Sequence, residues 1–142
     1  MRYKYKQGKY KPRLPKKYKG DPNNVIYRSS WEYKFMLWCD QTPSVTEWGS
    51  EEIAIPYTSP VDGRRHRYYP DFYAKVNGKK YMVEVKPLKQ TKEPKTQKRI
   101  TKKYINEVVT WSVNQAKWKA AENFCSDAGW EFMLITEKEL KV

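Results

Sequence analysis

Thiols and imidazoles are almost missing from this chain, which has two cysteines and one histidine in 142 residues. So little cysteine excludes a disulfide framework and a Cys-based metal site. Cys39 and Cys125 fall at apolar spacing within helix-like segments and read as small buried residues. An intracellular, reducing setting is the natural expectation. Long hydrophobic runs are missing too: nothing approaches the roughly 20 apolar residues of a membrane span, and the amino terminus lacks the apolar centre of a signal peptide. No membrane partner is expected. Acid is scarce, with 16 Asp and Glu against 29 Lys and Arg and a formal charge of +13, for a pI near 9.6. That excess points to a polyanionic partner. The length suits one compact domain and is too short for two.

Acid is wholly absent from residues 1–20, which hold nine of the Lys and Arg residues, so the other 122 carry only +4. Pro12, Pro15 and, just beyond, Pro22 oppose regular structure. Residues 1–24 therefore read as a basic, largely disordered tail, and 25–142 as the folded domain. Tyrosines alternating with Lys4, Lys6, Lys16 and Lys17 suit contact with a phosphate backbone and stacking on bases.

Within the domain, Ser29 with Glu32 three residues on predicts the start of a helix over about 30–40. Trp31, Phe35 and Trp38 share one of its faces. Short strands are predicted at Val45–Trp48 and Ile53–Tyr57, and the chain turns at Pro60–Gly63 to return through His66–Ala74. Leu88–Lys103 is polar, basic and loop-like. A long helix is predicted over about 102–128, with Tyr104, Val108, Trp111, Trp118 and Cys125 on its apolar face and Ala128-Gly129 as its stop. A buried strand over Trp130–Ile135 and a short helix near Glu137–Leu140 close the chain. The expected fold class is α/β: a mixed central sheet, made of an antiparallel meander plus one further strand, flanked by helices.

The most informative segment runs from Asp71 to Glu84. Asn77-Gly78 between alternating apolar residues is a strong signal for a two-residue β-hairpin. With those two residues as the loop, cross-strand partners have numbers summing to 155, so Asp71 faces Glu84. Lys86, two residues further on, shares their side of the strand. Phe72, Ala74, Val76, Tyr81, Val83 and Val85 form the opposite, apolar side, and the carboxylate side should look towards a cleft. Like charges placed directly opposite destabilise a sheet. A hard divalent cation relieves the conflict, because Mg²⁺ accepts one or two protein carboxylates and keeps several waters.

Pro70-Asp71, a hairpin, and then Glu84-Val85-Lys86 resemble the signature of the PD-(D/E)XK nuclease superfamily. The stretch from Tyr27 to Leu140 is also similar to the head completion nucleases of T-even-type tailed phages. That likeness is carried by Tyr27, Arg28, Ser29, Trp31 and Glu32, by Ile55–Asp62, and by Arg67, Tyr69, Pro70, Asp71 and Phe72. A more distant likeness is to the TnsA-type transposon endonucleases. The resemblance implies a restriction-endonuclease-like core and Mg²⁺-dependent hydrolysis of double-stranded DNA, with Mn²⁺ as a substitute ion. It implies Asp71 and Glu84 as principal metal ligands and Lys86 as the residue that positions or deprotonates the attacking water. Glu32 becomes the acid of the first helix, holding a water or a second ion. A capping role with Ser29 would explain Glu32 without any chemistry, and the two roles are hard to fill at once. The setting implied is head completion after DNA packaging, in the host cytoplasm or the virion, beside head, portal or neck proteins. The alternatives are a non-catalytic DNA-binding assembly protein and a TnsA-like or junction-resolving endonuclease.

Other residues are assigned by composition. Arg64, Arg65, His66 and Arg67 form a basic cluster suited to phosphate. Arg28 is placed for phosphate or for an acidic partner. Gln115 interrupts the apolar stripe of the long helix and is open to a role at the site or to a buried hydrogen bond.

Overall fold

A computed structural model describes residues 7–141. Its strands are β1 (Gly8–Tyr10), β2 (Val25–Tyr27), β3 (Val45–Ser50), β4 (Ile55–Thr58), β5 (Arg65–Tyr68), β6 (Phe72–Val76), β7 (Lys79–Val85) and β8 (Glu131–Ile135). Its α-helices are α1 (Ser30–Gln41), α2 (Lys102–Ala128) and α3 (Glu137–Leu140). The central sheet has the order β3-β6-β7-β8. Its first three strands are antiparallel, and β8 lies parallel to β7 after the crossover through α2. The mixed sheet expected from the sequence is present. The continuous meander is not, because β4 and β5 leave the sheet and pair only with each other.

The hairpin register is the one the Asn-Gly turn dictates. Phe72 pairs with Val83 and Val76 with Lys79. Asn77 and Gly78 take φ values of 50° and 82°, as a type I′ turn requires. Period-2 alternation then sends the two sides of this strand pair into two cores. Phe72, Ala74, Val83 and Val85 pack with Trp31, Phe35, Met36 and Cys39 of α1 and with Trp48. Met82 packs on the other side with Trp118, Ala121 and Cys125 of α2 and with Ile55, Tyr57 and Tyr68 of the β4–β5 ribbon. The carboxylate side is thus covered by a helix and a ribbon, where the sequence suggested an open cleft. Both cysteines are buried, as their spacing predicts.

Helix boundaries follow their caps. The Ser29 side chain accepts the Glu32 N–H, and Gly129 closes α2 in the left-handed conformation at φ 75°. Two aromatic assignments differ from expectation. Trp38 is exposed at the edge of α1 and stacks on Phe35, while Met36 and Cys39 take the inner positions. In α2 the buried residues begin at Asn114. Tyr104 is half-buried and Val108 exposed, so the first turns of this roughly 40 Å helix carry no buried residue.

The amino-terminal segment is also more structured than its composition suggests. β1 pairs with β2, Tyr10 and Tyr18 are buried, and both rings pack edge-on against Trp48. Asp40, itself 2% exposed, accepts hydrogen bonds from the Tyr10 hydroxyl at 2.7 Å and from the Arg13 and Leu14 N–H groups at 2.7 and 3.1 Å. Lys17 Nζ donates to the carbonyls of Cys39, Asp40 and Thr42 at 3.0–3.2 Å, where the negative end of a helix dipole favours a cation. Lys17 is therefore a helix cap, and the expected disordered tail does not extend over residues 8–18. Lys16 is exposed; Lys4 and Lys6 lie outside the described residues. Among the described residues, no helix is long and apolar enough to cross a membrane.

Asp40→Ala leaves three donors without an acceptor and should lower unfolding free energy by about 3 kcal/mol or more, read from the urea midpoint, with Asp40→Asn costing less. A midpoint unchanged by Asp40→Ala would return the segment to the status of a loose tail.

Candidate active site

The site forms where β6 begins, β7 ends and α1 starts. Asp71 and Glu84 meet there through reciprocal contacts. The Val85 N–H donates to Asp71 Oδ2 at 2.8 Å, and the Asp71 N–H donates to Glu84 Oε1 at 3.3 Å. Each carboxylate thus binds the backbone of the opposite strand and extends the ladder by one step. Glu84 is 5% exposed. Lys86 stands 4.0 Å from Glu84 Oε2 and is the one cation in ion-pair range of these two acids among the described residues.

Electrostatics here are unfavourable to two ionised acids. Burial first, then the charges of Glu84 and Glu32, push the Asp71 carboxyl well above the ordinary carboxylate range. Burial also raises Glu84, against the opposing pull of Lys86 and further donors. Glu32 is raised by burial as well, although its Oε1 accepts the Arg28 N–H at 3.2 Å. Glu32 stands beside the pair without joining it. Among the described residues, no group of three acidic, His or Cys side chains converges closely enough to hold an ion. Its observed work is at the helix start, where it returns a hydrogen bond from the residue before the cap.

Arg28 resolves to an acid partner, the carboxylate of Glu51. Glu51 is a non-glycine residue at φ 54°, a left-handed conformation that costs energy and recurs near functional sites. Its N–H donates to the Asp71 carbonyl at 3.1 Å, so the same residue fixes the backbone of Asp71 and holds Arg28 near the acids. Gln115 is exposed on α2, and the neighbouring Asn114 is buried instead. Arg64, Arg65 and Arg67 are exposed on and beside β5, and His66 pairs with Asp62 at 2.9 Å.

Two neighbours of Glu84 were not legible from spacing. Tyr68 is 4% exposed, and its hydroxyl has no hydrogen bond of ordinary geometry among the described residues. It lies against Glu84 and the Trp118 indole; burial and then the Glu84 charge push it far above the usual phenol range, so it stays protonated. Lys117 of α2 places its ammonium 5.7 Å from the Tyr68 ring centre and 5.9 Å from that of Tyr57, and it favours the ionised form of Glu84. The available signal was Tyr68 lying three residues before Asp71.

The family model of TnsA-like endonuclease N-terminal domains matches residues 42–137. The head completion nuclease of Enterobacteria phage T4 is 40% identical over 139 residues, covering 94% of this chain and 93% of that protein. The chain belongs to the TnsA-like endonuclease family. Its α/β fold, with a mixed sheet between helices, is the restriction-endonuclease-like arrangement of a TnsA-like domain. Asp71, Glu84 and Lys86 lie inside the span matched to the TnsA-like model, and Glu32 lies before it.

A raised carboxyl pKa means that the folded chain binds more protons than the unfolded chain between the two values. The contribution of these two acids to the stability of the metal-free protein should then be greatest at and below the ordinary carboxylate pKa of about 4 and be lost as pH rises through the raised values of Asp71 and Glu84. Asp71→Asn keeps an acceptor for Val85 and removes the charge. At pH 7 it should raise the metal-free melting temperature by a few degrees, with the gain shrinking towards pH 4. A lower melting temperature at pH 7 would contradict the assignment of strain to this pair.

Proposed function

We propose that this chain is a divalent-metal-dependent deoxyribonuclease that hydrolyses phosphodiester bonds of double-stranded DNA during completion of a tailed-phage head. The observation that carries it is the enclosed Asp71–Glu84 pair, with Lys86 beside it, in a chain of an endonuclease family. The head-completion setting rests on the phage T4 relative, which is named for that task. Action would then follow DNA packaging, in the host cytoplasm or the virion, next to head, portal or neck proteins.

The donor set suits Mg²⁺, with Mn²⁺ as a substitute. Two hard carboxylates are held together by backbone bonds and are under-neutralised by one lysine at 4.0 Å. Mg²⁺ takes one or two carboxylates and fills its remaining positions with water and substrate, so a third side chain is not required. Asp71 and Glu84 would be the ligands, and Glu32 would act from further out. When bound, the ion supplies a Lewis acid for the phosphoryl oxygens and a nucleophile usable at neutral pH.

The chain's own residues supply the rest. Lys86 would hold the attacking water and stabilise negative charge growing on the phosphoryl oxygens. Attack forms a bond from the water oxygen to phosphorus as the bond to the leaving sugar oxygen breaks; the proton that the water loses passes to solvent, and the leaving oxygen takes one up from solvent. Glu84 is buried, so bulk solvent screens interactions at its carboxylate less than at the surface.

Glu84→Ala should reduce Mg²⁺-supported cleavage of linear duplex DNA to background while the protein stays folded by circular dichroism and still binds DNA. Undiminished cleavage by that variant would remove Glu84 from the mechanism. A wild-type protein that binds duplex but cuts neither linear, branched nor single-stranded DNA with Mg²⁺ or Mn²⁺ would favour a non-catalytic assembly role.

A further inference from the structure

The β4–β5 ribbon has two unlike sides. Register pairs Ile55 with Tyr68 and Tyr57 with His66 on one side, and Pro56 with Arg67 and Thr58 with Arg65 on the other. Ile55, Tyr57 and Tyr68 are buried in the core shared with α2. Pro56, Thr58, Arg65 and Arg67 are all exposed. Arg64, at the end of the connecting turn, is exposed as well.

None of the three guanidinium groups makes an ion pair or side-chain hydrogen bond among the described residues. The nearby acid, Asp62, is already engaged by the His66 ring and the Arg64 N–H. The turn is stiffened by bonds from Ser59 N–H to the Arg64 carbonyl and from Gly63 N–H to the Ser59 carbonyl, both 2.9 Å. A rigid two-stranded ribbon therefore presents uncompensated arginines. Arginine suits phosphate through its fixed fork of donors. A ribbon of this width fits the major groove of duplex DNA. Arg65 and Arg67 are two residues apart, about 7 Å along the strand, a step comparable to that between neighbouring phosphates of one DNA strand.

The ribbon is also tied to the chemistry. Tyr68 ends β5 with its hydroxyl against Glu84, and Asp71 follows three residues later. A strand gripped by Arg65 and Arg67 is thereby held at a fixed offset from the two carboxylates.

We propose that the outer side of the β4–β5 ribbon, through Arg65 and Arg67 with Arg64 at its turn, is the surface that grips the backbone of duplex DNA and registers it against the Asp71–Glu84 site. His66, although exposed, is engaged by Asp62 and packs on the Tyr57 ring, and is not part of that grip. The inference rests on the nuclease reading, and its test is kept apart from cleavage.

Binding of a fluorescent 30-base-pair duplex, measured by anisotropy in EDTA over a range of salt, separates the two. Arg65→Ala/Arg67→Ala should weaken binding at least tenfold. It should also reduce the magnitude of the slope of log K against log salt by about two, as expected for two lost phosphate contacts. Lys79→Ala/Lys80→Ala removes equal charge from the far end of the hairpin and should change affinity less than about threefold, since long-range charge is screened beyond about 10 Å. Arg65→Lys/Arg67→Lys should restore the slope and part of the affinity, which also guards against a folding defect in the alanine pair. If the arginine pair weakens binding no more than the lysine pair, or leaves the slope intact, the grip is elsewhere. Wild-type cleavage would in that case still support the nuclease reading. If the wild-type chain does not bind duplex at all, the grip is overturned, and only the cleavage assay bears on the chemistry.

Discussion

Two carboxylates are made to face each other by the two-residue Asn77-Gly78 turn of a hairpin that runs from Asp71 to Glu84, and the arrangement around them answers that constraint. Neither Asp71 nor Glu84 is free to swing away, because each accepts a backbone N–H from the other's strand. Those bonds hold the acids in place without cancelling their charge, and burial makes the charge more costly. Lys86 offsets part of it at 4.0 Å, and Lys117 adds a more distant contribution through the aromatic wall of Tyr57 and Tyr68. On the proposed reading, a divalent cation bound between the two acids would relieve this conflict.

Each layer of the structure has a part in positioning that pair. α1 seals one side of the sheet with Trp31 and Phe35 and brings Glu32 to its edge. α2 and the β4–β5 ribbon seal the other side and bring Lys117 and Tyr68 to Glu84. Glu51 spends a left-handed conformation on binding the Asp71 carbonyl and the Arg28 side chain. Local strain near the acids is thus supported by the two apolar cores.

How much of this was legible in the sequence depended on range. The Asn77-Gly78 turn, the Ser29 cap and the Gly129 stop are local signals, and each appears where the residues placed it. The register that sets Asp71 against Glu84 follows from the turn alone. What escaped was set at a distance. Nothing near Tyr10 reveals Asp40, thirty positions away, so a proline-broken basic segment looked disordered while carrying a strand and a helix cap. The departure of β4 and β5 from the sheet depends on which strand captures β3, a nonlocal choice. Gln115 and Asn114 differ by one helical step, about 100° of rotation, and spacing could not decide which faces inward. The exposed start of α2 shows the same limit: its pattern is amphipathic, but burial begins only at Asn114.

The central claim is that Asp71 and Glu84 share a divalent cation, and a crystal soaked in Mn²⁺ and measured for anomalous scattering tests it most directly. The account predicts a peak within ligand distance, about 2.0–2.3 Å, of a carboxylate oxygen from each of the two residues, and its loss in Glu84→Ala. No peak between them in a crystal of protein that cleaves DNA with Mn²⁺, or a peak held by other residues, would contradict it.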